Sequence, residues 1–259
     1  MDKNSMFYWH PKVKDLPIPQ PKTRIWLIPE EWLVQLRQGN FPNSMINELK
    51  KANPFGYPVF IRTDQASDKH SWDKAAYVEN EDKLWECFCG TVEHNLCAGV
   101  MGLPFFAIVF REYIPMDSGY TAFYGHMPVN PERRYFVEDG KVICHHPYWI
   151  LEAIDSPSIE NWKEVSEKMN TETQEEIELL TKYAEMVSDK VTGCWSVDFC
   201  RAKTGQWILI DMAVSADSWH PENCPNEQKI RNLPPLNAET GREMGYRSGN
   251  EGQDTIYTE

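Results

Sequence analysis

Residues 194–213 read CWSVDFCRAKTGQWILIDMA, two apolar runs of strand character around a polar turn within Arg201–Gly205. Each run carries one aspartate, Asp198 in the first and Asp211 in the second. A carboxylate in such a run is costly to bury unless a cation, a metal or several donors lie beside it. In a hairpin, residues equidistant from the turn share a face. With a loop of Ala202–Gly205, Asp198 opposes Leu209 and Asp211 is its diagonal neighbour on the same face. With a loop one residue longer at its start, Asp198 opposes Ile208, and the acids face opposite sides unless a bulge intervenes. The sequence leaves both registers open.

Two aspartates on one face suit a hard divalent cation, Mg²⁺ above all, which takes one or two protein carboxylates and fills its shell with water and substrate phosphates. The competing reading is structural: one aspartate starts a turn and the other pairs with an arginine. Cations also stand alone in apolar strands: Arg62 in VFIRTD, Arg111 in IVFREY and Arg134 in ERRYFV. Pointing inward, each needs a counter-charge. Gathered with Lys69 opposite two metal-binding aspartates, they would instead form a polyphosphate site, the cations stabilising charge on a transferring phosphoryl group. No GxxxxGK is present and no GxGxxG follows a strand, so the P-loop and Rossmann solutions lack support.

Working outward, Val59–Arg62 is a short apolar run bounded by turn formers and predicts a strand. Asp139-Gly140 between two strand-like runs is a hairpin signal. PEEWLVQLRQG, NSMINELKKANP and NEDKLWECFCGTVEHNLCAGV predict helices. A longer helix is expected from Thr171, with Thr173 and Glu176 as a capping box and Ile177, Leu180, Ala184, Val187 and Val191 at helical spacing. Prolines 11, 17, 19, 21 and 29 predict an extended, irregular start over residues 1–29. The pattern is α+β, in two lobes with mostly antiparallel sheets enclosing a cleft.

The 259 residues, 41% of them hydrophobic, suffice for a sizeable core. A net charge of −13 disfavours nucleic acid as a partner. Without an 18-residue apolar run no membrane partner is expected, and seven irregularly spaced cysteines suit a reducing, cytoplasmic setting. Cys87, Cys89, His94 and Cys97 are conceivable zinc ligands, but their spacing fits no common module and a helix spreads the first two apart. His145 and His146 could line an acceptor site as a base, or simply be hydrogen-bonded. Tyr148, Trp149 and Trp219 could be substrate platforms or core.

FIRTDQASDKHSW, VFREYIPMD, ERRYFVEDGKV and WSVDFC…GQWILIDMA occur in the order of an ATP-grasp enzyme. The chain resembles the branch of the cell-division-cycle proteins that assemble translation initiation factor 2, with their phage and bacterial relatives. The resemblance spans roughly residues 55–220. It implies an ATP-grasp-like fold that binds Mg·ATP, and an ATP-dependent carboxylate–amine ligase or a nucleotide-dependent assembly factor. By position, it implies that Arg62 stands where the family has a phosphate-contacting lysine. Ser67, Asp68, Lys69 and Trp72 match the loop that covers the phosphates, with Lys69 its cation. Glu112, Tyr113 and Ile114, next to Arg111, fall at the linker that holds adenine. Glu132, Arg134 and Phe136 match the acid-x-Arg-x-Phe strand, with Arg134 reaching the terminal phosphate, and Asp198 and Asp211 match the metal-binding acids. Lys69 and Arg134 are thus the expected catalytic cations. The family's asparagine two residues past the second acid is Ala213 here, with Ser215 or Asp217 as possible replacements. The expected organisation is a recognition region over 1–54, nucleotide-binding lobes over 55–220 and a polar tail over 221–259, with ATP and an unidentified small-molecule or protein acceptor as partners.

Overall fold

The computed structural model describes residues 2–98 and 102–221. The expected tail beyond Pro221 lies outside the described residues. A first antiparallel sheet is built from β1 (Thr23–Leu27), β2 (Val59–Thr63), β3 (Tyr77–Val78) and β4 (Ala107–Glu112) in the order β1-β4-β2-β3. Helices α2 (Glu30–Arg37), α3 (Met45–Ala52) and α4 (Leu84–Cys97) supply Leu36, Leu49 and Phe88 to the core behind it. A two-stranded ribbon follows, β5 (Tyr120–Ala122) with β6 (Met127–Val129). The second antiparallel sheet contains β7 (Glu132–Glu138), β8 (Lys141–Pro147), β9 (Trp195–Arg201) and β10 (Trp207–Val214), in the order β10-β9-β7-β8. Between β8 and β9 run α5 (Trp162–Asn170) and α6 (Gln174–Ser188). The architecture is α+β, as the sequence pattern indicates. Among the described residues no helix is long and apolar enough to cross a membrane.

The start of the chain departs from expectation. Residues 6–13 form a helix, α1 (Met6–Val13), despite Pro11, and residues 23–27 are the edge strand β1. Ser5 caps α1, its Oγ accepting from the Phe7 N–H at 3.2 Å, while Met6, Trp9 and Val13 are buried in the core of the second sheet. Burial of three large side chains outweighs the single hydrogen bond that Pro11 removes.

The Asp139-Gly140 signal is realised as a two-residue turn with both residues at positive φ, 49° and 77°, joining Glu138 to its partner Lys141. Thr173 caps α6, its Oγ1 accepting from the Glu176 N–H at 3.2 Å. The reciprocal half of the expected box is replaced, because the Glu176 carboxylate binds Arg133 at 2.7 Å.

The closing hairpin adopts neither expected register. The pairing runs Trp207↔Arg201, Ile208↔Cys200 and Leu209↔Phe199, then jumps to Asp211↔Asp198 across an irregularity at Ile210. This is the bulge on which the second register depended. Trp207 and Leu209 face the core before it, and Met212 faces the core after it, with Val214 packed against them. Strict alternation would have sent Asp211 into that core; the extra residue reverses the phase and turns it to the opposite face.

Candidate functional site

The face of the second sheet that Asp211 joins borders a cleft lined from both sheets. The first sheet contributes Phe60, Arg62 and Arg111, and the loop after β2 contributes Lys69 and Trp72. The second sheet contributes Glu132, Ile210 and Asp211 from the opposite side. Glu112, Tyr113 and Ile114, where β4 ends, also line it. Around Trp72 the cleft is aromatic: Trp72 lies 5.5 Å from Phe60 and stacks on Tyr77 at 5.8 Å, and Tyr113 packs edge-on against Tyr77 at 5.0 Å.

Arg62, Lys69, Arg111, Glu132 and Asp211 make the rest of the lining charged, and Arg134 and Asp198 stand beside it in the second sheet. Arg134, Asp198 and Asp211 form one rung across β7, β9 and β10. Arg134 grips both oxygens of Asp198 at 2.8 Å, and its Nη1 donates to the Trp219 carbonyl at 3.3 Å. From the first sheet, Arg62 Nη1 reaches Asp211 Oδ2 at 2.7 Å, while its Nε and Nη2 donate to the carbonyls of Thr63 and Gln65. Lys69 Nζ lies 3.2 Å from Glu132 Oε1, and the second oxygen of Glu132 accepts from Trp149 Nε1 at 3.0 Å. Lys69 and Arg134 both lie over the ring of Tyr148, at 4.7 and 4.5 Å. Arg111 donates to the Ile210 carbonyl at the bulge.

Burial sets the electrostatics. It pushes the Glu132 carboxyl up, against the pull of Lys69. Burial also opposes charge on Lys69, but Glu132 and the neighbouring acids outweigh it and hold the ammonium well above the usual lysine range. The same balance leaves Asp211 below its ordinary value, burial being overcome by Arg62 and Lys69. Arg111 is lowered to about 10 by burial and by Arg62, and its buried Nε has no partner among the described residues. The cleft thus gathers buried charges from both sheets, one of them with an unmet donor.

The structure therefore brings Arg62, Lys69, Arg111, Arg134, Asp198 and Asp211 together, although they lie up to 149 positions apart. Asp198 and Asp211 fit a hard cation by ligand chemistry, as two carboxylates on one rung. Ala213 offers no donor. Of its expected replacements, Ser215 is buried and Asp217 accepts from Asn4 Nδ2 at 2.7 Å. Glu112 receives the Lys22 N–H at 3.1 Å. The zinc candidates share α4, where Cys87 is buried with its thiol toward the Tyr77 carbonyl at 3.4 Å. Among the described residues no group of three or more metal-ligating side chains meets. His145 lies 3.2 Å from Glu172, and His146 is buried beside Trp219 and His220.

Sequence reasoning missed the ion pair of Lys69 with Glu132 and the part of Trp149 in it. One signal existed: Glu132 stands two residues before Arg134, the strand spacing that places both on one face.

A family model described as an ATP-grasp domain, clade family 3, matches residues 51–233. No curated protein matches the chain. Among solved structures, C-terminally truncated Cdc123 from Schizosaccharomyces pombe is similar over 83% of this chain and 86% of that one, at 17% identity and a TM-score of 0.52. An ADP complex of purK, N5-carboxyaminoimidazole ribonucleotide synthetase, matches 89% of this chain and 52% of its own at 14% identity and a TM-score of 0.46. D-alanine–D-alanine ligase from Bacillus anthracis, complexed with ATP, matches 82% and 53% at 12% identity and 0.43. At these identities the likeness is one of fold, and the chain spans about half the length of the latter two proteins.

Proposed function

The chain belongs to the ATP-grasp domain family whose model it matches, and from that premise we propose that its cleft takes Mg·ATP and that the protein is an ADP-forming carboxylate–amine ligase. The observation that carries this reading is the meeting of Arg62, Lys69 and Arg134 with Asp198 and Asp211 beside one aromatic cleft. Glu112, Tyr113 and Ile114, with Trp72, would hold the base. Arg62 and Arg111 from the first sheet, with Lys69, would receive the triphosphate. Arg134 neutralises the oxygens that gain charge as the terminal phosphoryl group moves.

Asp198 and Asp211 would hold Mg²⁺, which supplies charge neutralisation of the phosphate oxygens when bound. Their arginines then pass from carboxylate to phosphate, so each charge exchanges one partner for another and none is left bare in a buried site. In the reaction class we infer, a substrate carboxylate takes the terminal phosphoryl group of ATP. An amine then displaces phosphate from that acylphosphate, leaving an amide, ADP and phosphate. No protein nucleophile is needed, and the chain's contribution is positioning and electrostatics. A cytoplasmic setting and a small-molecule or protein acceptor complete the reading; the charge of −13 speaks against nucleic acid as that acceptor.

Ala213 favours a second reading, in which the nucleotide is bound to drive assembly with a partner and is not turned over. Incubation with Mg·ATP and fractionated acceptors, following ADP by a coupled assay and new amides by mass spectrometry, separates the two. Acceptor-dependent ADP release supports the ligase. Stable ATP binding without turnover across the fractions contradicts it.

A further inference from the structure

Lys69 is itself a primary ammonium in a built site. Its Nζ sits 3.2 Å from a carboxylate oxygen of Glu132, which is 3% exposed, and 4.7 Å from the centre of the Tyr148 ring. The carboxylate is fixed from behind by the indole N–H of Trp149 at 3.0 Å. A buried carboxylate with an aromatic face is a chemical recognition unit for an ammonium group. Glu132 and Lys69 both line the cleft, which puts the carboxylate of this unit at the cleft wall.

Glu132 differs from the other two acids in what happens when the cleft fills. Asp198 and Asp211 lose their arginines to phosphate but gain a divalent cation. Glu132 loses Lys69 and gains no cation, and a buried carboxylate without a counter-charge is unfavourable. Its neighbours do not resolve this. Cys200 faces it across the ladder, Asp198 adds repulsion, and Arg134, whose charge also acts on Glu132, turns to the phosphate in the ligase reading.

We propose that Glu132 and Tyr148 form the binding site for the ammonium group of the acceptor amine, a site that Lys69 fills in this structure and vacates when it turns to the triphosphate. The inference rests on the ligase reading and deepens it: the acceptor is a primary amine, it binds after the nucleotide and as the cation, and it gives one proton to the Glu132 carboxylate before its freed lone pair attacks the acylphosphate. Lys69 then acts as the gate. It cannot cover the phosphates and block the amine site at once, so an amine is admitted only beside a nucleotide ready for transfer.

The test uses the full chain, Mg²⁺ with the non-hydrolysable β,γ-imido analogue of ATP, and methylammonium chloride as the probe. Potassium chloride at equal ionic strength is the control. In calorimetry, methylammonium should tighten analogue binding by about threefold or more, and Glu132→Gln should abolish that gain while still binding the analogue. Equal gains in both proteins, or none in either, overturn the ammonium site. Failure of the analogue to bind at all overturns the nucleotide reading itself, a distinguishable outcome. Lys69→Met supplies a check that does not depend on the folding of Glu132→Gln. With the site emptied, methylammonium alone should raise its melting temperature relative to potassium, and should leave the wild-type chain unmoved. No rise in Lys69→Met overturns the proposal.

Discussion

Arg133 and Arg134 are consecutive in β7 and point to opposite faces of one sheet. Arg133 is wholly buried, with Nε on Glu176 at 2.7 Å and Nη2 on the carbonyls of Met169 and Thr171 at 2.9 and 3.3 Å. Its partners come from the end of α5 and the start of α6, so it ties those helices to the sheet. Arg134 holds Asp198, whose cross-strand neighbour Asp211 is held by an arginine from the other sheet. The two faces use the same ion-pair chemistry for different ends. Behind the sheet the carboxylate partner sits on a packed helix. In front, Arg62 and Asp211 border the cleft, where on the proposed reading a ligand of the right charge replaces them. Burial of an ion pair therefore does not by itself separate scaffold from site; the availability of a substitute partner does.

The comparison breaks most visibly at Arg133. Arg133→Met should cost about 3–5 kcal/mol of stability by urea unfolding, because Glu172 and Glu176 lose their shared cation, with nucleotide affinity of the folded protein nearly unchanged. A loss of affinity at unchanged stability would erase the distinction between the faces. On the cleft side the expectation reverses. Asp211→Asn should keep the fold, since the amide oxygen still accepts from Arg62, and should weaken Mg·ATP binding by about 100-fold, roughly 2.7 kcal/mol; calorimetry that finds wild-type affinity would remove Asp211 from the site.

Acid sharpens the contrast further. Burial lowers His10, on the core side, to about 4 from an ordinary 6.5, and lowers His146, on the cleft side, to about 3. Between the folded and ordinary values the unfolded chain binds more protons, so stability rises with pH across this window and falls as pH drops from 6.5 toward 4. His10→Gln should remove up to about 2 kcal/mol of that dependence, measured as unfolding free energy against pH. An unchanged slope would contradict the burial of a neutral imidazole. The smallest effect is expected at Thr173→Ala, about 1 kcal/mol from the lost α6 cap, read from the shift in urea midpoint.

Much of this was legible in the chain, and the exceptions have physical causes. The alternation around Asp139-Gly140 and the spacing of Leu180, Ala184 and Val187 specify their elements locally, so the β7–β8 hairpin and α6 follow from composition alone. The α1 helix does not, because Pro11 argues against it locally and the burial of Met6, Trp9 and Val13 that decides it is tertiary. The position of Asp211 is a third kind of case. WILIDMAV shows where alternation must break, since Trp207, Leu209 and Met212 all belong inside. It does not show that Ile210 carries the extra residue. The lone cations were readable as needing partners. Which acid answers which cation was not, because Lys69 and Glu132 meet only once the loop after β2 folds across the second sheet.

On the proposed reading, the carboxylate–cation pairs of the cleft hold the places of a metal and a triphosphate. The most direct measurement is isothermal titration of the wild-type chain with ATP, in the presence and absence of Mg²⁺. A single site that Mg²⁺ tightens by at least about tenfold is expected, because only then do Asp198 and Asp211 release their arginines without being left uncompensated. Absence of binding, or an affinity indifferent to Mg²⁺, would contradict it.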